Sequence, residues 1–132
     1  MSYLQGLSAF GGYFAVGLGF VALFLARYLH LTPHRELQLV REGNLAGSTA
    51  LSGALAGFCL ALASAMAHSV SLVDLAVWAT VALVAQMAAY GFTRLLLPQF
   101  PKRIERAEQS AAVLAATLHV GVGLLDAAAM VY

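Results

Sequence analysis

The sequence has 132 residues, of which 61% are apolar and only 10% are charged, and its mean hydropathy is +0.83. So few polar side chains cannot cover a surface exposed to water, which excludes a soluble globular domain. The composition therefore predicts an integral membrane protein.

Four segments have the about 20 mostly apolar residues that are needed to cross a hydrocarbon core. They lie near residues 7–30, 45–68, 73–96 and 108–131, with charged loops at 31–44 and 97–107. Their continuous Ala, Leu, Val and Gly runs favour helices over the alternating strands of a barrel. The predicted fold is one all-α membrane domain of four transmembrane helices.

The basic residues indicate how these spans are oriented. All seven lie at or within the two charged loops: Arg27, Arg35, Arg41, Arg94, Lys102, Arg103 and Arg106. The positive-inside rule then places both loops in the cytoplasm and both termini outside.

The first loop reads TPHRELQLVREGN over residues 32–44 and predicts a short helix lying on the membrane at 33–42. Thr32 and Pro33 suit its start, and Gly43 suits its end. Leu37 and Val40 are expected to face lipid, whereas four charged residues face water: Arg35, Glu36, Arg41 and Glu42. Two interpretations are open, a well-built turn or a docking surface for a cytoplasmic partner.

The second loop carries a basic cluster of Lys102, Arg103 and Arg106. A cluster of this size suits anionic headgroups or a protein partner, since nucleic acid requires a larger folded basic surface. Nucleic acid is therefore not an expected partner.

Small residues in the second span predict close helix packing. Gly43 and Gly47, then Gly53 and Gly57, are spaced four apart, and Ala61 and Ala65 extend the second pair. Small residues allow helices to approach closely in lipid. The second span is therefore expected to be central, with its partner in the same chain or in a neighbouring subunit.

Polar residues inside the spans are the candidate functional residues, because each is costly in lipid unless it is paired. Counting at about 1.5 Å per residue places Gln86 and His119 at one depth near the midplane, within hydrogen-bonding reach. Asp126 lies two turns beyond His119, level with Ser64, and His68 and Asp74 meet near the outer rim.

These polar residues permit two interpretations. In one, Gln86 and His119 join two helices and His68 with Asp74 orders a turn. In the other, Asp126 and His119 carry protons while Gln86 orients a water, although no continuous polar stripe crosses the cytoplasmic half.

No catalytic motif is present, so the chain is not expected to be an enzyme. The histidines lie at different depths, which argues against a haem held between two of them, and no dense set of metal ligands occurs. Cys59 is alone and suits a packing position. No cofactor or metal is therefore expected.

Two groups of residues give the chain a resemblance to a known family. The first is Thr32-Pro33-His34, Glu36, Leu39, Asn44, Ala46, Ser48, Ser52-Gly53 and Gly57, and the second is Asp74, Trp78, Gln86, Arg94 and Pro98. They resemble the signature of the YjfL-like family of small bacterial inner-membrane proteins, which has a domain of unknown function. The resemblance implies four membrane helices and a role in envelope stress or membrane maintenance. At His119 and Asp126 the family tends to have an amide or a small residue.

The resemblance also implies a two-helix unit that occurs in tandem. Shifting the chain by 64 residues superposes spans 1 and 2 on spans 3 and 4, and pairs Phe14 with Trp78 and Gly57 with Gly121. Equivalent points are two spans apart, so the repeats would be parallel.

The function expected from the sequence is a non-catalytic assembly or partner-recruiting subunit, which binds through self-association or another protein. The alternative is an oligomeric ion or proton channel that uses Gln86, His119 and Asp126.

Overall fold

The structure, a computed structural model, describes residues 2–32 and 36–130 and contains only helices over this part of the chain. Four of them are long and apolar enough to cross a membrane: α1 (Tyr3–Leu31), α3 (Leu45–His68), α4 (Leu72–Leu96) and α6 (Gln109–Ala129). Two short helices follow α1 and α4: α2 (Glu36–Arg41) and α5 (Phe100–Glu105). The prediction of an all-helical protein with four membrane-length helices is confirmed.

Local sequence explains where the long helices begin. α1 begins at Tyr3, before the expected residue 7, because Ser2 and Gln5 form a capping box. The Asn44 side chain accepts a hydrogen bond from the Gly47 backbone N–H at 2.9 Å and caps α3. Ser71 caps α4 in the same way through the Asp74 backbone N–H.

α3 lies at the centre of the bundle, as its small residues predict, and it packs most closely against α6 of the same chain. A Cβ atom built on Gly57 would overlap the His119 carbonyl group, and one on Gly123 would overlap the Gly57 carbonyl group. Gly53 lies equally close to Ala116. Gly47 has a different neighbour, since its Cβ would lie 3.1 Å from the Leu39 side chain of α2.

Aromatic residues in the C-terminal half of α1 pack against this bundle. Phe24 and Tyr28 are fully buried, and the Phe24 ring stacks on Phe58 of α3 with ring centroids 4.7 Å apart. The N-terminal half of α1 presents large apolar side chains outward, such as Leu7 and Phe10. This exposure suits a lipid environment.

The two short helices close one end of the bundle, which we call the charged end. A residue of positive φ follows each short helix two residues after its end, Gly43 at +86° after α2 and Ala107 at +59° after α5. The Asn44 side-chain amide donates to the carbonyls of Ile104 and Glu105, at 3.1 and 3.4 Å. This joins the two loops into one unit, the charged cap, defined as residues 36–44 and 100–108.

Helix α5 was not predicted, since residues 97–107 were expected to form a loop. Pro101 occupies the first turn of α5, where a backbone N–H has no partner within the helix and its absence costs little. Phe100 and Ile104 are buried and hold α5 against the bundle.

The orientation of α2 corrects one prediction. Glu36 was expected to face water, but its side chain is completely buried. Leu39 and Val40 lie on the same side of this short helix and are partly buried, whereas Arg41 and Glu42 are exposed as expected. The predicted start of the helix, residues 33–35, lies outside the described residues.

Helix bounds recur at a spacing of 64 residues. α5 begins and ends 64 residues after α2, and the positive-φ residues Gly43 and Ala107 have the same separation. Glu36 and Phe100, the first residues of the two short helices, are both buried. Tyr28 is buried whereas its equivalent Phe92 is exposed, so the two halves differ in packing, and the internal repeat itself stays a prediction.

Candidate functional site

The candidate site is centred on Gln86 of α4 and His119 of α6, whose side chains are 0% and 1% exposed. His119 Nδ1 lies 2.6 Å from Gln86 Oε1, and Gln86 Nε2 donates to the His119 backbone carbonyl at 3.1 Å. The bond expected from the depth of these two residues is therefore present. It is a reciprocal pair that links α4 to both the side chain and the backbone of α6.

This geometry determines which ring nitrogen of His119 carries a proton. A carbonyl oxygen can only accept, so the Gln86 amide nitrogen must face it and Gln86 Oε1 must face the ring. His119 Nδ1 is then the donor. Nε2 of the same ring is buried and has no hydrogen-bond partner among the described residues. The pair thus leaves His119 Nε2 as a buried hydrogen-bond acceptor inside the bundle.

Tyr28 connects His119 to the charged end. Its ring lies edge-on to the imidazole, with centroids 5.7 Å apart and an interplanar angle of 84°. Tyr28 also interacts electrostatically with the Glu36 carboxylate of α2. Tyr28 therefore lies between the midplane histidine and a buried acid near the surface.

Two further polar side chains of α4 lie in this half of the bundle. Tyr90 is buried, its ring lies 5.7 Å from that of Tyr28, and it interacts electrostatically with both Glu36 and Arg94. Thr93 is also buried and donates to the Ala89 carbonyl of its own helix at 2.8 Å. We call Glu36, Tyr28, Tyr90, Gln86 and His119 the buried polar cluster.

The cluster places polar residues in the half of the bundle for which no continuous polar stripe was predicted, and its members meet partly through edge-on ring contacts. Glu36 was expected to face water, and Tyr28 was not among the candidate residues. Tyr90 was not singled out. Its position four residues after Gln86, on the same helix face, is the sequence signal that would have identified it.

The polar residues toward the opposite end bond mainly to backbone groups. Ser64 donates to the Ala127 carbonyl at 2.8 Å, which confirms that Ser64 of α3 lies at the depth of the Asp126 region of α6. Asp126 is partly buried, and its Oδ2 has no hydrogen-bond partner among the described residues. His68 Nδ1 donates to the Ser64 carbonyl, and Asp74 accepts from the Val70 backbone N–H at 3.1 Å.

The charged cap presents exposed cations at its surface. Arg41, Lys102 and Arg106 are exposed, whereas Arg103 is partly buried. Arg103 Nε lies 3.4 Å from Glu108 Oε1, and Arg106 Nε lies 3.8 Å from Oε2 of the same carboxylate. A surface groove beside Lys102 is lined by Arg94, Gln99, Pro101, Lys102 and Glu105. Arg35 lies outside the described residues, and within them no three potential metal ligands cluster.

Comparisons with known proteins agree with this membrane architecture. The chain is 36% identical to the UPF0719 inner membrane protein YjfL of Escherichia coli strain K12 and to that of strain O157:H7, over the full length of both proteins. No solved structure matches the chain. A family model described as Domain of Unknown Function (DUF350) matches residues 1–130. With four membrane-length helices and this full-length likeness to an inner membrane protein, the chain belongs to the DUF350 family.

Proposed function

We propose that the protein is a non-catalytic assembly or partner-recruiting subunit of the inner membrane, with its charged cap in the cytoplasm and both termini in the periplasm. The concentration of basic residues at one end of the bundle supports this orientation. The resemblance described above implies that the setting is envelope stress or membrane maintenance.

The observation that carries the proposal is the construction of the charged cap. Two loops far apart in sequence are joined by the Asn44 side chain and anchored by buried residues, among them Phe100 and Ile104. Fixed side chains lose less conformational entropy on binding than those of mobile loops, which favours recognition of a partner. The exposed cations Arg41, Lys102 and Arg106 favour an acidic partner surface.

Charge reversal at the cap tests this proposal. Extraction in native-lipid particles should yield the chain together with a reproducible second protein. In the double variant Arg41→Glu/Lys102→Glu, its amount should fall by about tenfold or more, because like charges across an interface cost several kcal/mol. The mass of the extracted particles and of their components provides the measurement.

Two controls accompany this experiment. Val70→Glu introduces a negative charge at the opposite end, where Val70 is 87% exposed, and should leave the second protein bound. Arg41→Gln/Lys102→Gln removes the charges without reversing them and should have an intermediate effect. A second protein retained equally by all these variants would contradict recruitment through the cap.

Proton conduction by an oligomer is a second candidate function, and the buried polar cluster favours it. Glu36 and Tyr28 extend the line of polar groups from His119 to the charged end, and Asp126 continues it toward the opposite end. His119 Nε2 is a buried acceptor whose partner can be a proton or a water.

Proteoliposomes with an internal pH-sensitive dye test the second candidate. If the protein conducts protons, an imposed potential should acidify wild-type vesicles, and both Glu36→Gln and Asp126→Ala should abolish the flux, since each removes an ionisable group from the line. Glu42→Gln, an exposed change on the cap, should conduct normally. Wild-type flux equal to that of empty vesicles would eliminate this candidate, and flux that persists in Glu36→Gln would exclude Glu36 from the path.

A further inference from the structure

A groove runs along the outside of the bundle between α1 and α4. It has a volume of about 370 Å³ and is lined by Arg27, His30, Leu31, Leu83, Val84 and Met87. Arg27, His30, Leu31 and Val84 are exposed, while Leu83 and Met87 are partly buried. The groove therefore opens outward and lies apart from the buried polar cluster and the charged cap.

The packing of α1 explains why this groove exists. Near its C-terminal end, α1 contacts α3 through Phe24, which stacks on Phe58, and contacts α4 through Tyr28, which meets Tyr90 edge-on. Arg27 immediately precedes Tyr28 and Leu31 follows it by three residues, and both line the groove. Val84 of α4 is 61% exposed and faces away from the core. The two helices touch along one line and leave a channel along its side.

The chemistry of the lining changes along the membrane normal. Arg27 lies four residues from the end of α1, or about 6 Å at 1.5 Å per residue. Met87 and Leu83 lie nine and thirteen residues before the end of α4, or about 14 to 20 Å. Both helices end at the charged end, so the cationic part of the groove is near the surface and the apolar part is deeper.

A phospholipid has the same order, with a charged phosphate at the surface and an acyl chain below it. None of the six lining residues is acidic, so Arg27 has no carboxylate competitor within the groove. A guanidinium donates two parallel hydrogen bonds to a phosphate, and basic pockets between membrane helices bind anionic headgroups.

We propose that this groove binds an anionic phospholipid of the leaflet at the charged end. The phosphate lies against Arg27 and His30, and one acyl chain lies against Leu83, Val84 and Met87. The lipid fills the space between α1 and α4. This site is independent of partner recruitment by the charged cap.

Native mass spectrometry of the delipidated full-length chain, titrated with phosphatidylglycerol or with phosphatidylcholine, tests this proposal. The wild type should bind one phosphatidylglycerol more tightly than phosphatidylcholine. Arg27→Gln should weaken phosphatidylglycerol binding on the order of tenfold, as expected for one lost charge-assisted contact. Its binding of phosphatidylcholine should not change.

Two further variants separate this site from general electrostatic attraction. Lys102→Gln removes a positive charge at the same end but outside the groove, and should bind phosphatidylglycerol like the wild type. Val84→Trp fills the groove without changing charge at an exposed position, and should abolish tight binding of both lipids. An equal loss in Lys102→Gln and Arg27→Gln would overturn the proposal.

Unchanged phosphatidylglycerol binding in Val84→Trp would also overturn it. A third result would also overturn it: the wild type binds no lipid in this assay, and Val84→Trp has a different oligomeric mass from the wild type. The groove would then be a contact between copies of the chain. A melting temperature measured for each variant confirms that the folded chain is being compared.

Discussion

Alanine at Gly57 or at Gly123 is expected to destabilise the bundle by about 1 to 3 kcal/mol, and leucine at either position by more. A Cβ at Gly57 meets the His119 carbonyl group, and a Cβ at Gly123 meets the Gly57 carbonyl group. Both obstacles are backbone atoms of neighbouring helices, which cannot rotate away as a flexible side chain can. The close crossing of α3 and α6 would have to open, and the contacts along both helices would be lost.

The free energy of unfolding in mixed detergent micelles measures this effect. Gly121→Ala is the matched control, because Gly121 is on the same helix as Gly123 and nothing lies within 4 Å of its Cβ position. That substitution should be neutral or stabilising, since alanine favours a helix over glycine by up to about 1 kcal/mol. Equal stability of Gly121→Ala and Gly123→Ala would show that the two helices do not cross this closely.

Replacing Gln86 by leucine is expected to cost about 1 to 3 kcal/mol of stability, because it leaves the buried Nδ1–H of His119 without its partner. It also removes the additional hydrogen bond that the Gln86 amide donates to the His119 backbone carbonyl of α6. The double variant Gln86→Leu/His119→Leu should cost less than the sum of the single variants. Pairs of this kind in membrane helices have coupling energies of about 0.5 to 2 kcal/mol.

A double-mutant cycle of unfolding free energies provides this measurement. Thr80→Val is a suitable control on the same helix, because Thr80 is exposed and its hydroxyl bonds only to the Ala76 carbonyl of α4. It should change stability by no more than about 0.5 kcal/mol. Strictly additive costs at Gln86 and His119 would mean that the pair does not link α4 to α6.

The membrane class, the four helices and the central position of α3 followed from the sequence because each depends on composition or on short spacings. Apolar runs of membrane length define the helices, and glycines four residues apart define a close-packing face. The common depth of Gln86 and His119 in the bundle could also be predicted, since the helical rise fixes the depth of a residue once the ends of the spans are known.

The features that were missed depend on contacts between segments that are distant or differently oriented. Charged neighbours such as Arg41 and Glu42 made Glu36 look solvated, but the docking of α2 directs it inward to Tyr28. Helix α5 was missed because residues 97–107 lie between two apolar spans and were assigned to a loop, whereas Pro101 sits in the first turn, where it does not break a helix. The groove beside Arg27 depends on how far α1 diverges from α4, which no local pattern encodes.

The most direct test of recruitment through the charged cap is photo-cross-linking from single positions in whole cells. A photoreactive amino acid is placed at exposed Gln38 or Glu105 on the cap, or at Val70 at the opposite end. The proposal predicts one discrete adduct from both cap positions and none from Val70. The mass of this adduct should differ from that of a dimer of the chain. In the Arg41→Glu/Lys102→Glu background this adduct should disappear. Adducts only of dimer mass, or adducts that form equally from both ends, would contradict it.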